Sequence, residues 1–228
     1  MTDLRSPLRP TRAGAGVALL LLLAGAAIFL VLDPVLAWDD ANPYVGKGRL
    51  LLYFTFQSNV LAVVSLVAVG LAMVRGRVPG TLVDHLRGLA TVDMAITGVV
   101  NGALLAEPGE SFDFSDFVLH QGGPILMVAW WIAAPPARRL SFAAVGLWLL
   151  HPLLWTAAVF TYASESTDHW VPYFFLDPAQ VDGEGTVVVF VVVIHAVIAV
   201  LGVGAVAATR LPWRDRVAAR LGVAPVAD

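Results

Sequence analysis

Residues 186–209 read TVVVFVVVIHAVIAVLGVGAVAAT, 24 positions without one Asp, Glu, Lys or Arg. At about 1.5 Å of rise per residue, a helix of this length crosses the roughly 30 Å hydrocarbon core of a bilayer. Five more segments have the same character, at 15–37, 50–74, 88–106, 116–135 and 140–162. The expected fold class is therefore all-α, a polytopic bundle of six transmembrane helices over 15–209. A tail at 1–14 precedes it and a tail at 210–228 follows it. Composition points the same way: 58% of the residues are hydrophobic and 14% charged, where soluble domains carry about 25% charged residues. The first segment follows Arg5, Arg9 and Arg12 and ends at Ala37, much as a signal peptide does. Its apolar run of about 20 residues is longer than a signal-peptide core, and it reads as the first span.

The basic residues orient the bundle. The N-terminal tail holds Arg5, Arg9 and Arg12, and the second connection Arg75, Arg77 and Arg87. The fourth holds Arg138 and Arg139, and the C-terminal tail Arg210, Arg214, Arg216 and Arg220. Lys47 and Arg49 alone fall on the other side, with most of the acidic residues, among them Asp39, Asp40, Glu107, Asp116, Glu165, Asp168, Asp177 and Glu184. Cytoplasmic loops carry the Lys/Arg excess, which places both tails inside and requires an even number of spans. With no Cys there is no disulfide framework and no thiolate metal site. No basic run with interleaved aromatics points to nucleic acid, and no cofactor is expected.

Polar groups inside a span are costly and face the bundle interior. Thr55, Ser58 and Asn59 share one face of the second span, with Gln57 beside them. Asp93, Thr97 and Asn101 share a face of the third. Two such stripes either line a cavity or act as interhelical glue. His120 and Gln121 lie in the fourth span, His151 in the fifth between Trp148 and Trp155, and His195 in the sixth. His151 reads as a packed core residue, His195 as a candidate for the cavity floor, and His85 as a solvated inner-loop residue. The outer connection 163–185 is rich in aromatics and Pro, and reads either as an interfacial belt or as a lid carrying His169, Tyr173 and Asp177 over a cavity mouth.

Depth narrows the field. Thr55 stands 20 residues above Arg75, roughly 30 Å, and His120 stands 18 above Arg138, roughly 27 Å. A hydroxyl and an imidazole at one depth can form a nucleophile–base pair. Asp116, four residues before His120, either orients its ring or marks the solvated end of the helix. Gln57, Ser58, Asn59 and Asn101 are candidate oxyanion donors or cavity polar groups. His151, at roughly 18 Å, and His195, at roughly 22 Å, lie deeper. Asp93, six residues above Arg87, is deeper still at roughly 9 Å.

The stretch Tyr53-Phe54-Thr55-Phe56-Gln57-Ser58-Asn59 opens a span directly after Gly46-Lys47-Gly48-Arg49. His120 is followed by Pro124 and the pair Trp130-Trp131, and Pro172-Tyr173-Phe174-Phe175-Leu176-Asp177 precedes the last span. In their order and placement these motifs, over residues 15–209, resemble bacterial six-helix relatives of the androgen-induced and androgen-dependent TFPI-regulating integral membrane proteins. The eukaryotic members are threonine hydrolases of fatty acid esters of hydroxy fatty acids. The resemblance implies Thr55 as nucleophile, His120 as its partner, a fatty-acyl ester as substrate and the bacterial plasma membrane as location.

Two other classes stay open. One is a zinc-dependent intramembrane hydrolase with His120, His151, His195 and Asp93 as ligands, although no helix carries HExxH. The other is a transporter or lipid-binding protein, since buried His and Asp also build proton relays.

Overall fold

The computed structural model describes residues 46–75, 77–106, 114–136 and 138–211. The expected first span at 15–37, the tail 1–14 and nearly all of the tail 210–228 lie outside the described residues. Within them the chain is helical and forms no strand. A 3-10 turn, Gly46–Leu52, leads into α1, Phe54–Val74. Next come α2, Thr81–Leu105, and a helical run at 114–133, here α3. Two long helices complete the bundle: α4, Ala143–Glu165, and α5, Gly183–Ala208. Four of these, α1, α2, α4 and α5, are long and apolar enough to cross a membrane. The uninterrupted apolar part of α3, Val118–Ala133, is shorter.

The central post is α2, which packs against each of the other four helices. Ala62, Leu66 and Val69 of α1 meet Ala90 and Met94 of α2 and Met127 of α3 in one buried cluster. A second cluster joins Ile96, Trp131, Trp148 and Ile198 from α2 to α5. By contrast, α5 exposes Val188, Val192 and Val200, the surface expected of a helix facing hydrocarbon. Two buried polar stripes meet between α1 and α2, where Ser58 Oγ and Thr97 Oγ1 stand 2.9 Å apart. At that point the stripes act as interhelical glue.

The start of α2 corrects the expected loop. Pro79 and Gly80 precede the helix, which opens at Thr81 rather than near residue 88. Arg87 is therefore no loop residue, and His85 lies in the second turn of the helix with its Nδ1 buried and its ring beside Trp148. Arg87 is 4% exposed. Its guanidinium lies over Trp130 at 3.8 Å and reaches Trp131 at 5.3 Å. It donates to the Trp130 carbonyl, which also accepts from the Ala134 N–H, and to the Ala134 carbonyl just past the last residue of α3. The reading failed because an Arg counts as a loop marker only when its charge reaches water, and here helix-end carbonyls and indole faces take water's place. Arg87→Leu is expected to lower stability by about 3 kcal/mol or more, because a hydrogen-bonded buried cation and two carbonyl partners are lost together. A thermal unfolding midpoint in detergent measures this, and Arg87→Lys, with no planar fork, should recover only part of it.

Candidate active site

Thr55 lies in the first turn of α1, where backbone N–H groups have no partner within the helix. Tyr53 at the N-cap supplies no side-chain cap to these N–H groups. The partner comes from the connection 163–185 instead: the Thr55 N–H donates to the Tyr173 hydroxyl at 3.3 Å. The same hydroxyl is 3.4 Å from Thr55 Oγ1. Tyr173 sits just before the short turn Phe174–Leu176, packed edge-on against Tyr53 and stacked on Phe175. Burial pushes the Tyr173 phenol above its ordinary range, with its hydrogen bonds to Thr55 pulling the other way. The phenol keeps its proton, and having accepted from the Thr55 N–H it has an O–H left to donate.

His120 reaches the same hydroxyl from α3. Pro124 has no N–H to return to the His120 carbonyl, so the α-helical ladder cannot continue there. The turn Val118–Gly122 widens to a π-turn, closed by the Gly123 N–H donating to Val118 O. Gly98 of α2 lets this turn come close, since a Cβ there would meet Pro124 Cβ at 3.0 Å and His120 O at 3.4 Å. The result places His120 Nε2 3.2 Å from Thr55 Oγ1. Behind it, His120 Nδ1 is 2.7 Å from Asp116 Oδ1. A carboxylate only accepts, so in the neutral ring the proton belongs on Nδ1 and the Nε2 lone pair faces the threonine hydroxyl. His120 is therefore hydrogen-bonded to Thr55 through Nε2, and Asp116 stands behind the ring, with its backbone carbonyl 3.3 Å and its carboxylate 2.7 Å from Nδ1.

The neighbouring polar residues brace this line. Asn59 Nδ2 donates to Thr55 O at 2.8 Å and to Leu119 O at 3.2 Å, tying the threonine's turn to the histidine's. Ser58 donates to Thr55 O at 3.0 Å. Gln57 Nε2 donates to Leu51 O at 2.5 Å, and Gln57 Oε1 lies 3.0 Å from His151 Nε2. The amide N–H groups of Asn59 and Gln57 are thus directed at backbone carbonyls. Asn101 is buried where the terminal π-turn of α2, Asn101–Leu105, begins. Below Thr55 runs an apolar cavity of about 40 Å³ that Thr55, Thr97, Tyr173 and His195 also line.

The His151 ring lies beside Phe54, with ring centres 5.6 Å apart. Its Nδ1 lies 2.8 Å from Oδ2 of the fully buried Asp93, on the side opposite Gln57. The expected gap in depth between them came from treating Arg87 as the inner boundary. Counted from Thr81, Asp93 lies 12 residues into α2, roughly 18 Å, the depth expected for His151. Among the described residues no three His, Asp or Glu side chains gather as a metal set, so His120, His151, His195 and Asp93 do not converge as zinc requires. His169 and Asp177 are not among the residues that line the cavity below Thr55; both line a separate one beside Pro178 and Val188. His169 Nδ1 is 3.0 Å from Ala163 O, and its backbone adopts a left-handed φ of 45°. Asp177 accepts from Gln180 Nε2 at 2.7 Å and from the Ala179 N–H at 2.9 Å, which hold its carboxyl below the usual carboxylate range.

The connection 163–185 covers the start of α1. Arg49 pairs with Asp168, donates to the Tyr162 hydroxyl at 3.3 Å and lies 4.6 Å from the centre of the Trp170 ring. Trp155 Nε1 donates to Leu52 O at 2.8 Å. Sequence reasoning placed Tyr173 on a possible lid but missed its bond to Thr55, and it missed the Asp93–His151–Gln57 chain. The signal for that chain was a lone acidic residue in an apolar span, which needs a partner. Compared with protein-family models, with curated proteins and with solved structures, the chain finds no match.

Proposed function

We propose that this chain is an intramembrane lipid-ester hydrolase with Thr55 as nucleophile and His120 as base. The observation that carries the reading is the 3.2 Å approach of His120 Nε2 to Thr55 Oγ1, with Asp116 at 2.7 Å behind the ring. The finer topology belongs to the same proposal: six spans, both tails cytoplasmic, and the site near the outer leaflet of a bacterial plasma membrane.

Thr55 Oγ attacks the ester carbonyl as its proton passes to His120 Nε2. Asp116 accepts from Nδ1–H and stabilises the imidazolium that forms. Charge developing on the carbonyl oxygen meets the Tyr173 O–H and the positive end of α1. His120 then gives its proton to the departing alkoxide, which leaves an acyl group on Thr55. Apolar walls such as Phe54, Ile96 and Val100 suit a hydrocarbon chain, so a fatty-acyl ester is the substrate class, and the chemistry needs no cofactor. The test is a lipid fluorophosphonate, whose electrophilic phosphorus an activated hydroxyl attacks with loss of fluoride. It should label the wild-type chain at Thr55, located by peptide mass spectrometry, and leave Thr55→Val unlabelled. Absence of label from active preparations would count against the reading.

Tyr173→Phe is expected to lower kcat by about 10²-fold with little change in KM, the usual cost of one oxyanion donor. Steady-state hydrolysis of a long-chain chromogenic ester in micelles measures it. An unchanged kcat would mean that Tyr173 only caps α1.

One observation favours a second reading, a proton-coupled carrier or lipid-binding protein: the buried Asp93–His151 pair, which the hydrolytic chemistry does not use. Proton flux in proteoliposomes that stops in Asp93→Asn and persists in Thr55→Ala would support it.

A further inference from the structure

Hydrolysis has a second half, and within an apolar bundle the water for it needs a place of its own. His195 of α5 lines the cavity that Thr55 lines. Its Nδ1 lies 2.7 Å from Val191 O, one turn back on the same helix. A carbonyl oxygen only accepts, so in the neutral ring Nδ1 carries the proton and Nε2 offers a lone pair. That Nε2 is buried and meets no hydrogen-bond partner among the described protein groups. A buried polar atom of this kind is costly unless a ligand or a water satisfies it. The cavity measures about 40 Å³, and a site needs only about 10–15 Å³ to take a water. A buried water also needs two to four polar partners. Thr55, Thr97 and Tyr173 bring hydroxyls to the same cavity, whose remaining walls include Phe54, Ile96 and Ile198.

We infer that His195 is a positioning residue that holds the water which releases the acyl group from Thr55. The inference rests on the acyl-threonine reading above. The water donates one hydrogen to His195 Nε2, which stays unprotonated. The other hydrogen passes to His120 Nε2 as the water oxygen bonds to the acyl carbon. The bond between that carbon and Thr55 Oγ then breaks, His120 returns the proton to Oγ, and the free acid departs. Formation of the acyl-enzyme needs no water, so losing His195 should affect the second half-reaction alone.

The experiment follows intact-protein mass and product release in the full-length chain in detergent, with a long-chain chromogenic ester. His195→Leu is expected to release the alcohol in a normal first burst and then turn over about 10²-fold more slowly. The mass of one acyl group should build up on Thr55. Hydroxylamine, a small nucleophile that can stand in for the water, should discharge it. His195→Gln, whose amide oxygen can accept a hydrogen bond, should recover part of the rate, and it guards against a Leu variant that fails to fold. Slow turnover in both variants with no acyl-Thr55, or unchanged turnover in either, would overturn the role of His195. Failure of the underlying reading looks different: no burst and no acyl-Thr55 in any variant, with hydrolysis surviving Thr55→Ala.

Discussion

Thr55→Ala and His120→Ala are each expected to reduce ester hydrolysis by at least about 10³-fold, and the double variant by little more than either alone. Nucleophile and base act as one unit, so removing either leaves only the modest catalysis of binding and the oxyanion donors. Neither change should unfold the chain. Thr55 and His120 are both partly exposed, and the bonds that brace the site come from Ser58 and Asn59 to the Thr55 carbonyl, which alanine keeps. Asp116→Asn should fall between wild type and these variants, because an amide can present the wrong atom to His120 Nδ1. Hydrolysis rates beside an unchanged unfolding midpoint check all three. A Thr55→Ala protein that still turns over would end the proposed chemistry.

Gly88→Ala is expected to be the most damaging single methyl group in the bundle. A Cβ at position 88 would stand 2.1 Å from Trp148 Cζ2 and 2.5 Å from Cη2. The indole is 2% exposed and wedged beside Trp131 and His85, so it has nowhere to retreat. Overpacking of this kind costs about 1–3 kcal/mol and sometimes more, and here it falls between α2 and α4. Gly146→Ala and Gly204→Ala are the controls. Neither Cβ meets anything within 4 Å, and both exchanges favour the helix by about 1 kcal/mol. Unfolding midpoints in detergent should fall for position 88 and hold or rise for the other two.

Thr55 and His120 were legible as candidates before any coordinates, because depth along a helix is a one-dimensional quantity, and Asp116 because it stands one helical turn before His120. A count of residues from the nearest charged end puts two side chains on one level. The same count misplaced Asp93, since its starting point, Arg87, is itself buried. The count says nothing about azimuth around the bundle, so it could not show that Gln57 turns towards His151 while Thr55 turns towards His120. Nor could it bring Tyr173, 118 positions away from Thr55, into hydrogen-bond reach.

Composition and apolar run length alone point to helices suited to a membrane, because a bilayer admits only helices and closed barrels, and unbroken apolar runs of about 20 residues fit a helix rather than a barrel strand. The pairing of side chains belongs to the tertiary structure. Small local devices set it: a proline that opens a π-turn at His120, a glycine that lets α2 approach that turn, and a loop before α5 that caps α1 with a phenol. Each acts across helices, where distance along the chain carries no information about distance in space.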